Sequence, residues 1–208
     1  SDVYKRQAFL VVTAMVLVAV LEWRGFLSGM PTQTKLLNAF FSGVTPRTAG
    51  FNSIDYADAH PVTLMITDMY MFIGGGSAGT AGGIKLTTAT VLLAAMAAEF
   101  RGRDATTVGH RTVPKSVVRQ AMTVAVAGFS AVTLGVVALR IFDPQFSVDQ
   151  INFEVISAFA TTGLSTGITA SLSTPSQLTL CALMYLGRIG PVSYTHLTLP
   201  TNREGEVW

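Results

Sequence analysis

The chain has 208 residues, half of them hydrophobic and only 12% charged, with a mean hydropathy of +0.47; soluble domains average about 25% charged residues, so lipid is the expected solvent. A formal net charge of +2 gives no reason to expect nucleic acid as a partner. The single cysteine, Cys181, excludes an intrachain disulfide framework, the widely spaced His60, His110 and His196 show no ligand spacing, and no carboxylate pair or catalytic triad pattern marks an enzyme.

In chain order, residues 1–7, "SDVYKRQ", are polar and abrupt, and are expected to be a non-native leader. Residues 8–21, "AFLVVTAMVLVAVL", form a first apolar run that ends at "EWR", a sequence suited to a membrane interface. Residues 36–53, "LLNAFFSGVTPRTAGFNS", begin as a short amphipathic helix and continue through small residues and threonines to Gly50. Two apolar half-lengths follow, 61–73 and 84–98, separated by the glycine stretch "GGGSAGTAGGIK" at 74–85.

Residues 99–119 carry Arg101, Arg103, Arg111, Lys115 and Arg119 against Glu99 and Asp104. Residues 120–139 are twenty residues without a charge, the length that crosses a hydrocarbon core. The loop 142–154 has three acidic residues and no Lys or Arg, so 99–119 is expected to be cytoplasmic and 142–154 external. Residues 152–167, "NFEVISAFATTGLSTG", repeat the earlier pattern and reach Gly163. A last span begins at 178–187 and is expected to be truncated near Pro191. Residues 192–208, "VSYTHLTLPTNREGEVW", are polar and are expected to be a non-native tail.

The two threonine–glycine segments lie 113 residues apart, measured from Gly50 to Gly163, and each sits between hydrophobic spans. The unit is helix, re-entrant loop, helix, used twice. Non-helical backbone at membrane depth survives only where it lines a water-filled path or is buried in protein. A glycine at φ > 0 can turn successive carbonyls toward one axis, and rings of carbonyls replace the hydration shell of a potassium ion. A short helix ahead of such a loop aims its negative end at the path, which favours a cation.

The glycine stretch admits two readings. Residues 74–79 fit G-x-G-x-x-G, with Glu99 twenty residues beyond Gly79, as in a dinucleotide turn. That motif needs a preceding strand and an alternating strand–helix series, which the pattern does not supply. The other reading is a broken membrane helix, since 61–73 and 84–98 together amount to one span with length to spare. Lys85 and Arg188 lie in apolar sequence, and an intramembrane charge is a functional candidate.

Taken in order, "SGVTPRTAGFN", "FIGGGSAGTAGGIK", "SAFATTGLSTGIT" and "GRIGP" resemble the Trk/Ktr/HKT superfamily of potassium transporters, in particular the Ktr-type membrane subunit, over roughly residues 8–191. The resemblance implies an all-α integral membrane protein with four helix–pore loop–helix units around one pseudo-fourfold pore. This chain resembles the third unit (8–98) and the fourth (120–191), joined by the 99–119 loop.

It implies a potassium selectivity filter at Gly50 and Gly163, with Thr48, Ala49, Phe51, Thr161, Thr162 and Leu164 supplying neighbouring backbone. It implies an intramembrane gate at 74–83, namely Gly74, Gly75, Gly76, Ser77, Ala78, Gly79, Thr80, Ala81, Gly82 and Gly83, with Lys85 beside it and Arg188 holding the loop's carbonyls. Many relatives have a proline in that loop, and this chain has none. The implied partners are the N-terminal half of the same transporter, a second membrane subunit, a cytoplasmic nucleotide-binding ring and the lipid bilayer, in a multi-pass protein of the cell membrane. Sodium, as the carried ion or as an activator, stays open. So do a membrane-embedded oxidoreductase that binds a dinucleotide at 74–79, and a fragment that does not conduct by itself.

Overall fold

A computed structural model describes residues 2–47, 49–73, 82–102, 106–108 and 111–197. Among the described residues, seven α-helices carry the fold: α1 (Asp2–Glu22), α2 (Thr32–Val44), α3 (Pro61–Phe72), α4 (Leu86–Phe100), α5 (Lys115–Phe142), α6 (Val148–Phe159) and α7 (Thr174–Leu197). Single 3₁₀ turns at Tyr56–Asp58 and Thr169–Ser171 precede α3 and α7. In the basic linker, the two-residue strands β1 (Thr107–Val108) and β2 (Arg111–Thr112) pair antiparallel.

Helix α5 is long and apolar enough to cross a membrane alone, and only 22% of its most apolar window is buried. Its inward face is a stripe of Ala121, Gly128, Val132, Gly135 and Leu139. The glycines are notches: a Cβ on Gly128 would lie 3.2 Å from the Phe159 ring, and one on Gly135 would lie 2.6 Å from Leu183. Small residues let helices approach closely where lipid supplies no hydrophobic drive. Val126, Phe129, Leu134 and Ile141 face outward, as lipid contact requires.

Helix α6 is the hub, packed on α3, α5 and α7. Its residues Ile151, Val155, Ala158 and Phe159 join one apolar cluster with Val132 and Leu139 of α5 and Leu180 and Leu183 of α7. Phe153 and Ala160 join a second with Tyr56, Leu64 and Met71, so α6 also ties the first unit to the second.

Several boundaries differ from the sequence expectation. The first helix starts at Asp2 rather than 8, and α7 runs from Thr174 to Leu197 rather than from 178 to about 191. Ser173 explains the early start of α7, because its carbonyl accepts the first intrahelical bond, from Gln177 N (3.0 Å). Helix α6 starts at Val148 because Ser147 and Gln150 form a capping box. The helical break falls as expected, between α3 and α4. A helix, not a strand, leads into residues 74–79, so the setting of a dinucleotide turn is not there.

Candidate functional site

Both short helices end in a sharp reversal. After α2, the N–H groups of Ala49 and Gly50 donate to the Thr45 carbonyl at 3.2 and 3.4 Å, and the Thr45 hydroxyl donates to the Phe51 carbonyl at 2.6 Å. After α6, Thr161 N donates to Ala158 O (3.0 Å) and Thr162 N to Ser157 O (2.9 Å). Gly50 has φ +70°, Gly163 has φ +90°, and Thr161 at φ +53° is the one non-glycine residue in the left-handed region among the described residues. Such strained backbone tends to gather at functional sites.

The two reversals meet. A Cβ built on Gly50 would overlap the Thr162 carbonyl oxygen, and one on Gly163 would lie 3.7 Å from the Gly50 Cα. Residues 113 apart in sequence are therefore in backbone contact. The flanking residues differ: Leu164 is buried, whereas Phe51 is 71% exposed. Thr162 is buried, and Ala49 is exposed. Thr48 lies outside the described residues. Next to the reversals is an open cavity of about 450 Å³, lined by Asn52, Ser53, Ile54 and Asp55 from the first segment and Ser165 and Gly167 from the second.

Of the residues expected to form a gate, 74–81 also lie outside the described set, but both of their anchors are visible. Ile73 and Ile84 form a parallel bridge, and Ile84 N donates to Phe72 O at 3.2 Å, so the stretch leaves and returns at one place. On the return limb, Gly82 N donates to the Thr161 hydroxyl (3.1 Å). A Cβ on Gly83 (φ +71°) would lie 3.4 Å from the Ala160 Cα. Lys85 is the half-buried N-cap residue of α4 and makes no side-chain capping bond. Arg188 is exposed on α7. Its neighbour Gly187 sits so close to α6 that a Cβ would overlap the Phe159 carbonyl. The return limb and the Gly187 turn of α7 thus converge on one turn, Phe159–Thr161, just ahead of Gly163.

Three buried carboxylates, not singled out in the sequence, hold this arrangement. Glu22, at the end of α1, accepts from His60 N (2.9 Å), the Thr63 hydroxyl and Phe26 N (3.3 Å). Asp143, at the end of α5, accepts from Ser173 N (3.0 Å), the Ser173 hydroxyl (2.7 Å) and the Gln145 amide (3.0 Å). Hydrogen bonds from the Ser176 and Ser173 hydroxyls hold the Asp143 carboxyl at about 2, below its ordinary 3.8. Each of these two carboxylates accepts from the backbone N–H just ahead of a later helix, α3 for Glu22 and α7 for Asp143, where backbone donors are otherwise orphaned. The third, Glu154, lies within α6 and accepts from residues 165–169.

Among the described residues the fold is helical apart from the β1–β2 pair, and two short helices end in left-handed glycines that meet. A family model described as TrkH, a cation transport protein, matches residues 6–202, and the chain belongs to that family. Over 87% of its length it is 41% identical to Ktr system potassium uptake protein B of Bacillus subtilis, and over 88% it is 38% identical to potassium/sodium uptake protein NtpJ of Enterococcus hirae. It covers 41% and 42% of those two proteins, so the chain spans about two fifths of their length. The fold also matches a solved structure of the potassium transporter TrkH from Vibrio parahaemolyticus, with a TM-score of 0.75 and 20% identity over 93% of this chain and 43% of that one. All three are named as transport or uptake proteins.

Proposed function

We propose that the chain supplies two of four walls of a potassium-conducting pore, with Gly50 and Gly163 at its selectivity filter. The observation that carries this is the contact between the two left-handed glycines at the ends of equivalent short helices. Backbone carbonyls there, with Thr48, Ala49, Phe51, Thr161, Thr162 and Leu164 as neighbours, replace the ion's water. The C-terminal ends of α2 and α6 add negative potential. Potassium is favoured by the names of the relatives, one of which also names sodium.

The other two walls come from the rest of a longer protein. Helix α3 packs on α6, so the second long helix of one unit covers the short helix of the next. By the same rule, the exposed face of α2, with Leu36, Leu37, Phe40 and Phe41, receives the second long helix of a preceding unit. The whole assembly is multi-pass in the cell membrane, with the basic 99–119 loop cytoplasmic, as the positive-inside rule requires. It pairs with a second membrane subunit on a cytoplasmic regulatory ring that meets that face.

Residues 74–83 act as the gate. Support comes from their return limb, which lies against the turn ahead of Gly163, and from Gly187, which packs on the same turn beside Arg188. The Arg188 guanidinium offers five donors and stays charged, so it can hold several loop carbonyls in a closed state.

In the complete transporter, Gly50→Ser and Gly163→Ser should each lower the rubidium-over-sodium uptake ratio, because a side chain at φ > 0 disturbs the carbonyl ring. An unchanged ratio in both would remove the filter assignment. Deleting Gly75–Ala78 should raise flux and Arg188→Gln should raise it less, without additivity. A deletion that lowers flux, or leaves it unchanged in a folded protein, would remove the gate.

A further inference from the structure

Glu154 is a carboxylate on a re-entrant helix whose other buried residues are apolar except for Ser157, and it is only 4% exposed. Among the described residues, four groups donate to it. The Ser165 hydroxyl reaches Oε1 at 2.6 Å, Thr166 N at 2.9 Å and the Thr166 hydroxyl at 3.3 Å, while the Thr169 hydroxyl reaches Oε2 at 2.7 Å. All four donors belong to the stretch that begins two residues after Gly163. The same stretch is tightened by Gly167 N, which donates to the Ser165 hydroxyl at 2.8 Å, and by the left-handed Gly167 (φ +88°). Ser165 and Gly167 line the cavity beside the two glycines.

We propose that Glu154 is a positioning residue for cation selection: its carboxylate clamps residues 165–169 to α6 and so fixes the backbone of Gly163 and Leu164 from the exit side. This rests on the filter reading above. A fold-wide need for the clamp is argued against by the first unit. Its counterpart position, 113 residues earlier, is Phe41, and that loop is braced from inside by the Thr45 hydroxyl on the Phe51 carbonyl. Its short helix and left-handed glycine form without a carboxylate.

A glutamine in place of Glu154 keeps one oxygen to accept from Ser165 and Thr166, but its NH2 group meets Thr169 only when that hydroxyl turns to accept, and every bond of the clamp loses the strengthening of a full negative charge. The exit then shifts relative to α6, and the spacing of carbonyls that distinguishes one cation from another shifts with it.

The test uses the complete transporter in proteoliposomes and compares rubidium and sodium uptake, with thermal unfolding measured in parallel. Glu154→Gln should lower the rubidium-over-sodium ratio about tenfold, and Glu154→Asp should restore part of it. Gly163→Ser serves as the reference. If Gly163→Ser lowers the ratio and Glu154→Gln reduces both fluxes equally or leaves the ratio alone, the positioning role is overturned while the filter reading stands. If Gly163→Ser leaves the ratio intact, the filter reading falls and the clamp's role falls with it. Should Glu154→Gln not fold, the double variant Ser165→Ala/Thr169→Val removes donors from the other side of the clamp. A lowered ratio there supports the proposal, and a wild-type ratio overturns it.

Discussion

The two helix–loop–helix units share a plan and differ in how far each is finished. Helix α6 is enclosed on three sides, begins with a capping box and has a carboxylate clamp. Helix α2 packs chiefly on α1, has no side-chain cap at Pro31 and exposes Leu37 at 68%. The reversal geometry survives this difference, since both glycines keep a left-handed φ. The reversal is thus a local property of each loop, while rigidity comes from what surrounds it. The second unit carries its own support, and the first leaves the apolar face of its short helix uncovered.

Substitutions at paired positions can break or sharpen this comparison. The largest difference is expected between the close helix contacts. Gly187→Ala pushes a methyl into the Phe159 carbonyl, whereas Gly43→Ala places one 2.9 Å from Met15 N. Overpacking typically costs about 1–3 kcal/mol, so Gly187→Ala should lie at or above the top of that range and Gly43→Ala near the bottom in unfolding titrations. Equal losses would mean that α7 yields as easily as α1.

Next come the two left-handed glycines of the reversals. Gly50→Ala meets both the left-handed φ and the Thr162 carbonyl, while Gly163→Ala meets only the φ. The former should destabilise by about 2–4 kcal/mol and the latter by about 1–2 kcal/mol.

Third are the helix-end carboxylates. Glu22→Gln leaves one of its buried donors poorly matched and should cost about 1–3 kcal/mol. Asp143 offers a test along the pH axis. Its folded-state value, about 2, is below the ordinary 3.8, so its contribution is complete above 3.8 and is lost as pH falls through about 2. Thermal unfolding between pH 5 and about 2 should show a loss of stability that Asp143→Asn makes smaller. The smallest effect is expected for Ser147→Ala, which removes the α6 cap at about 1 kcal/mol, with nothing comparable to lose at Pro31.

The main outline could be read from the sequence because it depends on composition and local spacing. The uncharged run at 120–139, the glycine break after Ile73 and the repeated approach to Gly50 and Gly163 are all local signals. The starts of α6 and α7 were missed, because hydropathy placed them at 152 and 178; the capping pair Ser147 and Gln150 was the local signal that marks the start of α6 at Val148. The helix-end latches were not legible. His60 and Ser173 are 113 residues apart, as are Thr63 and Ser176, but their carboxylates Glu22 and Asp143 are 121 apart. The repeat slips exactly where the partner lies, so no fixed offset finds it. Glu154 gave a weaker hint, an acid in the middle of a short helix with Ile, Phe and Val beside it, whose meaning depends on residues 11–15 positions away that only the fold brings back.

The Ile73–Ile84 bridge has a consequence for how this architecture can vary. It closes the intervening segment at its base, so the separation of α3 and α4 is set by the bridge and not by the number of residues beyond it. Closure entropy grows only logarithmically with length, about 0.6 kcal/mol per doubling. Length changes ahead of the anchored Gly82 and Gly83 should therefore cost the scaffold little, so that selection can tune that part's size and composition while the surrounding helices stay in place.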